Sequence, residues 1–311
     1  MKPLHPQLTM QLIIPILVAL IFGLSTAAAR TADGKALVLL LAGKPSHGPG
    51  QHEHNAGVLL LANALKQGAP NAVLKTYLNA EWPGAAELDA ADTILFYCDG
   101  GKGHLLLEEQ RLAALEKQMD RGAGFVALHY AVEFPADRGG PQALRWMGGF
   151  FEANWSVNPT WTANYSSLPK HPVTQGVRPF STLDEWYFHM RFSVEGGTLT
   201  SLLSEVPPAS TLIRKDGPHE GNPAVRAAVA AHEPQATAWA YERPKGGRGF
   251  GFTGGHFHRN WANDEQRKLV LNAILWTAHV EVPENGVESR ITESDLAANL
   301  DPKPIKPQVR P

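Results

Sequence analysis

Apolar runs, punctuated by glycine and polar turns, set the first expectations for this chain. Residues 36–42 (ALVLLLA) are apolar at every position rather than alternating, the pattern of a strand covered on both faces. Segment 54–66 then places Val58, Leu59, Leu61, Ala62 and Leu65 at helical spacing, with Gly68 beyond it as a stop. By the same reasoning 72–78 and 93–98 are strands, 107–121 is a helix closed by Gly122, and 125–128 is a fourth strand. This alternation is an α/β order with right-handed parallel connections.

Between residues 139 and 210 the pattern breaks into Trp-, Gly- and Pro-rich pieces, with short strands at 160–165 and 185–192. We read this stretch as an irregular insertion on the same domain. A hairpin follows, from 236–242 through Pro244-Lys245-Gly246-Gly247 to 249–253. Helix 264–278 closes the domain with Leu269, Val270, Ala273, Ile274 and Trp276 on its buried side. Past Val280 the chain turns polar and ends Pro-rich, which predicts an extended surface strap or a disordered tail.

At the other end, residues 13–24 are mostly apolar, follow Lys2 and precede Ala27-Ala28-Ala29. A basic start, an apolar middle and a small-residue exit describe a secretory signal peptide cleaved near Ala29, with a retained anchor as the alternative. The domain plan is therefore a leader at 1–29, one domain at 30–280 and a tail at 281–311. The expected location is periplasmic or secreted.

Composition narrows the chemistry. With 311 residues, 43% of them hydrophobic and 19% charged, the chain is neither disordered nor fibrous. A net charge of −2 without a basic run gives no electrostatic case for nucleic acid, or for a membrane beyond the leader. Cys98 is the only cysteine, so no internal disulfide and no multi-thiolate zinc site can form. Any metal must sit on carboxylates and on some of the 13 histidines.

In parallel α/β sheets the site lies beyond the carboxyl ends of the strands. After the first strand stand Gln51-His52-Glu53-His54; after the fourth, His129-Tyr130; after the hairpin, Gly254-Gly255-His256-Phe257-His258. We expect these segments to converge. His54, His129, His256 and His258, with Glu185, are the candidate ligands of a divalent transition metal such as Zn, Mn, Fe or Ni. Glu53, His189 and Tyr130 are candidate acid/base groups, because Glu185, Tyr187 and His189 would share one face of a strand. Trp155, Trp186, Tyr187 and His52 are candidate sugar contacts. Taken singly, His52 and His54 could instead cap a helix, and His129 could be a packed core histidine. G-x-G-x-x-G after a strand, Walker A and G-x-S-x-G motifs are absent from the sequence.

Several of these pieces resemble the trehalose-utilisation (ThuA-like) family: FVALHYA at 125–131, MGGF at 147–150, HPVTQGV at 171–177, DEWY at 184–187 and RKLVLNAILW at 267–276. The resemblance spans about residues 36–280. It implies a flavodoxin-like, mostly parallel sheet with helices on both faces, similar to class I glutamine amidotransferases. In those relatives the turn after the fourth strand carries a cysteine nucleophile; here His129 stands there, so glutaminase chemistry is not expected. The resemblance further implies a role in sugar or disaccharide catabolism beside oxidoreductases that make 3-keto sugars, and a histidine-rich metal site. A noncatalytic sugar-binding or accessory module on the same scaffold is the alternative.

Overall fold

The computed structural model describes residues 34–108, 110–193 and 196–303. The leader expected at 1–29 lies outside the described residues. Along the first half run β1 (Ala36–Ala42), α1 (His54–Gly68), β2 (Ala72–Tyr77), α2 (Ala85–Ala90), β3 (Thr93–Tyr97), α3 (Arg111–Asp120) and β4 (Gly124–Leu128). The insertion follows with α4 (Gly140–Met147), β5 (Gly149–Phe150), β6 (Trp161–Tyr165), β7 (Phe180–Asp184) and β8 (Arg191–Phe192). Then come β9 (Thr198–Glu205), α5 (Pro223–Ala230), β10 (Gln235–Glu242), β11 (Arg248–Phe252), α6 (Asp264–Thr277) and α7 (Glu293–Ala297).

The central sheet has seven strands in the order β2-β1-β3-β4-β11-β10-β9. The five from β2 to β11 are mutually parallel, and β10 runs against both of its neighbours. The fully apolar β1 has a direct cause. Val38, Leu40 and Ala42 enter the core beneath α1 and α6, while Leu37, Leu39 and Leu41 enter the core beneath α2, α3 and α4. Burying each such leucine stabilises the fold by about 1.5–3 kcal/mol. Because β2 and β3 flank β1 on opposite sides, the chain reverses direction of winding there, and such a switch point opens a crevice at the strand ends. Among the described residues no helix is long and apolar enough to cross a membrane.

Some expected elements change. The helix expected from 107 begins at Arg111, because Leu105–Leu107 form a separate 3₁₀ turn whose Leu106 N–H donates to His104 Nδ1. The strand expected at 185–192 is not one strand: β7 ends at Asp184, and only Arg191–Phe192 pair again. Asp184 breaks the run because its carboxylate accepts from the Glu185 and Gly255 amides, at 2.9 and 2.7 Å, and turns the backbone toward the β11 end. His189 has φ 60, so the strand alternation that would align it with Glu185 and Tyr187 is lost. Edge strand β9 and helices α2, α4 and α5 went unread; β9 is mostly polar and half-exposed, and α2 has only six residues. Residues 281–303 pack onto the domain rather than trailing from it, burying Val287 and Leu296.

His104 fastens the turn after β4: its Nε2–H donates to the Ala131 carbonyl at 3.0 Å while its Nδ1 accepts from Leu106. Accepting at Nδ1 requires the neutral ring, and burial pushes its pKa down to about 3. The unfolded chain then binds the extra proton below pH ~6.5, so stability is lost as pH falls from there toward 3, by about 1.4 kcal/mol per pH unit at most. Urea midpoints measured from pH 7 to 4 should fall more steeply for the wild type than for His104→Asn. Parallel slopes would remove His104 from the acid response.

Candidate functional site

The site gathers where the parallel strands end. The β1–α1 loop delivers His47 and His52, the residue after Cys98 is Asp99, and the turn leaving β4 delivers His129. Residues following β7 and β11 deliver Glu185 and His256. His47, His52 and His129 all hold left-handed backbone, at φ 60, 45 and 53. Non-glycine residues pay about 1–3 kcal/mol for such positions, which are concentrated at functional turns. Gly255, at φ 102, lets the 255–257 turn wrap over buried Asp184, whose carboxylate accepts the Gly255 and His256 amides. Burial pulls Asp184 upward in pKa while those donors pull it down, and burial is the larger effect.

Four side-chain atoms converge. His52 Nε2 lies 3.0 Å from His129 Nε2 and 3.1 Å from His256 Nδ1, and the last two are 3.2 Å apart. Glu185 Oε2 completes the group at 3.1 Å from His256 Nδ1 and 3.6 Å from His129 Nε2. The tautomers follow from the far side of each ring. His129 Nδ1–H must donate to the Thr253 carbonyl at 2.8 Å, and His52 Nδ1–H donates to Asp99 Oδ1 at 3.0 Å. Both Nε2 atoms therefore carry lone pairs, and two acceptors meet at 3.0 Å. A shared proton does not fill the gap near neutral pH, since burial and neighbouring imidazoles hold both rings well below the usual histidine pKa. Tyr187, a buried phenol, lies 3.1 Å from His129 Nε2 and hydrogen-bonds Glu185.

The expected site residues divide accordingly. His129, Glu185 and His256 come together, joined by His52, which the sequence had placed against substrate. His54 sits one ring further back, its centroid 5.5 Å from that of His52. His258 is carried away from the cluster: β11 already ends at Phe252, a 3₁₀ turn starts at His258, and the ring lies buried near the Glu53 and Lys303 charges. Glu53 is not presented to the site: its carboxylate accepts from Gly50 and Asp301 amides and pairs with Lys303 Nζ at 3.2 Å. His189 donates to the Trp155 carbonyl, and the Trp155 ring is engaged by Arg191 at 3.6 Å and by His189 at 4.3 Å. Trp186 is wholly buried, donating to Thr182, so it has no free face for a sugar. Tyr130 is half-buried 5.8 Å from the His52 ring, its pKa pushed up to about 12 by burial and Glu133.

Sequence reasoning missed Asp99, His47 and a second acidic pair. Asp99 directly follows the third strand, so the strand-end rule would have found it. The pair is Glu133 and His219, whose Nε2 lies 3.1 and 3.0 Å from the two carboxylate oxygens. Their hydrogen bond raises the His219 pKa. Asn158 joins this pair to the cluster, its amide donating to the His219 carbonyl and its Nδ2 lying 3.4 Å from Glu185 Oε1. No local signal marks it, since 86 residues separate the partners.

A mostly parallel sheet whose fourth strand runs into a left-handed rim residue fits the class I glutamine amidotransferase-like fold that the resemblance implied. Here that residue is His129, and the lone cysteine, Cys98, is buried just past the end of the neighbouring strand with its thiol pushed up to about 12 by burial. The family model for ThuA, described as trehalose utilisation, matches residues 38–277, and the chain belongs to that family. Two solved structures share the fold. One is a putative ThuA-like protein from Bacteroides uniformis, 18% identical, TM-score 0.53, covering 78% of this chain and 91% of its own. The other is a putative ThuA-like protein from Parabacteroides merdae, 13% identical, TM-score 0.53, covering 84% and 99%. No curated protein matches the chain.

Proposed function

We propose that this ThuA-family chain is a metal-dependent enzyme of carbohydrate catabolism acting on a glycoside or disaccharide, with a 3-keto sugar as the favoured substrate. The observation that carries the reading is the approach of two bare imidazole nitrogens at 3.0 Å, beside a third nitrogen and a carboxylate. Acceptors so close repel unless a cation lies among them. Ligands about 2.0–2.1 Å from one tetrahedral ion lie about 3.3 Å apart, close to the observed nitrogen spacings. The ligand set would be His52 Nε2, His129 Nε2, His256 Nδ1 and Glu185 Oε2, which suits Zn, Mn, Fe or Ni.

When bound, such an ion supplies polarisation of a carbonyl or a lowered pKa for water. The chain's own residues then move protons. His219, backed by Glu133, is oriented as an acid/base group in place of the expected His189 and Glu53. Tyr130, protonated near neutral pH, is a donor at the same rim. Export to the periplasm and a sugar oxidoreductase acting upstream complete the reading; both rest on the leader and on the family's sugar context.

The test is metal analysis of untagged protein, followed by chelation and re-addition of Zn or Mn, with a panel of glucosides, disaccharides and their 3-keto forms. We expect at least one tightly held ion per chain, a melting temperature that falls on chelation, and turnover that returns with metal. Metal-free protein that turns over a glycoside at full rate would refute the metal role. Tight metal with no turnover of any sugar would favour the noncatalytic module.

A further inference from the structure

Outside the inner site of His52, His129, His256 and Glu185, the β1–α1 loop holds another histidine in a fixed tautomer. The Ser46 hydroxyl donates to Asp99 Oδ1 at 2.8 Å, and the same oxygen accepts His52 Nδ1–H at 3.0 Å. With its own proton committed, Ser46 Oγ can only accept from His47 Nδ1, 3.0 Å away. His47 is therefore protonated at Nδ1 and carries a lone pair on Nε2, on the ring edge turned away from Ser46. The ring stacks on His52, with centroids 3.5 Å apart and planes 20° from parallel, and stands edge-on to Tyr130 and His256 at 6.3 and 6.1 Å. No hydrogen bond among the described residues engages Nε2, and the side chain is 40% exposed. On the Glu185 side stands His219, whose Nε2–H donates to Glu133 and whose Nδ1 is the remaining nitrogen. Tyr130 neighbours both, through its ring at His47 and through its phenol, which the Glu133 charge raises in pKa.

We propose that His47 Nε2 is the catalytic base of glycoside hydrolysis at the mouth of the inner site, with His219 Nδ1–H as its acid. This deepens, and rests on, the reading of the site as a carbohydrate enzyme given above. The lone pair of His47 takes a proton from water, the water oxygen bonds to the anomeric carbon as the bond to the leaving oxygen breaks, and His219 gives the leaving oxygen its proton. One proton is taken up and one released, so exchange with solvent resets the pair. Ser46 and Asp99 are positioning residues. They hold Nδ1–H of His47 in place and stabilise the imidazolium as it forms, as a carboxylate does behind a catalytic histidine. Asp99 thereby serves two rings, since it also orients His52. A ring that only shielded His52 by stacking would need no lone pair at all.

Variants of untagged, full-length, zinc-loaded protein separate catalysis from stacking. His47→Gly suits the left-handed φ of 60 at this position, so folding is not at risk. His47→Phe keeps a flat ring over His52 without a nitrogen. Both should retain the wild-type zinc content and lose about 10²–10⁴-fold in kcat on the best substrate of the glucoside, disaccharide and 3-keto panel. Added imidazole should restore part of the rate to His47→Gly and none to His47→Phe. In metal-free protein, nitrogen NMR should find His47 protonated at Nδ1, and Ser46→Ala should release it to the other tautomer. Near-wild-type kcat in both variants, or an Nε2–H tautomer in the wild type, would overturn the proposal and leave the metal reading intact. Zinc lost together with rate, and no rescue by imidazole, would also overturn it and make His47 a brace for His52. Zinc-loaded wild type that turns over no member of the panel would overturn this proposal and the enzymatic reading together.

Discussion

If the proposed centre is right, replacing His129 with alanine should leave the protein unable to hold a divalent ion among His52, His256 and Glu185. The Nε2 of this ring lies 3.0 Å from His52 Nε2, 3.1 Å from Tyr187 Oη and 3.6 Å from Glu185. Its loss removes one of the four proposed ligands. The sequence left His129 open between a rim ligand and a packed core histidine. The side chain is 0% exposed, so truncation also strands the Thr253 carbonyl and costs about 1–3 kcal/mol in the metal-free protein. The two effects separate in a melting experiment. A tightly bound ligand at 100-fold excess over its Kd stabilises a folded protein by about 2.7 kcal/mol. Wild type should show that upward shift on adding Zn²⁺, whereas the variant should show none and should start lower. A variant that keeps the wild-type zinc content and shift would return His129 to the role of a packed core histidine.

Lys303→Met should be the most destabilising single change in the C-terminal segment. Lys303 Nζ and the Glu53 carboxylate pair at 3.2 Å with side chains only 2% and 1% exposed. Lys303 also donates to the carbonyls of Gln51 and His52. Breaking a buried ion pair by removing one partner leaves the other charge desolvated and typically costs about 3–5 kcal/mol. Because Lys303 holds the His52 backbone, the inner site should loosen as well. Equilibrium unfolding of Lys303→Met, Glu53→Gln and the double variant measures this. The double variant should recover much of the loss, since no unpaired charge remains. A fall of less than 1 kcal/mol in Lys303→Met, with zinc affinity unchanged, would show that the strap is dispensable.

Much of the frame was legible because it is written in short-range pattern. β1 is apolar at all seven positions because both faces are covered, and α1 and α6 begin and end within a few residues of their expected limits. His129 and His256 were identified by standing just past strand ends, a rule that needs only strand assignment. Applied to the third strand, the same rule reaches Asp99. The C-terminal segment was misjudged from its polarity: its anchoring bonds, from Asp301 to Glu53 and from Ser289 to Arg267, join residues too far apart for composition to register.

Which histidines meet was beyond local reasoning. In the run from His52 to His54, the left-handed φ of 45 at His52 swings that ring into the cluster and leaves His54 at the helix start facing Asp99. At the β11 end, a 3₁₀ turn separates His256 from His258 despite their strand-like spacing. The sequence by itself determined the α/β order, the buried strands and the rim on which the chemistry would gather, because periodicity and strand ends are properties of neighbouring residues. Only the tertiary structure decided which histidines converge with Glu185, and the Glu133–His219 and Glu53–Lys303 pairs. Those contacts close loops of 77, 127, 204, 86 and 250 residues, and their geometry depends on single backbone torsions that no residue pattern specifies.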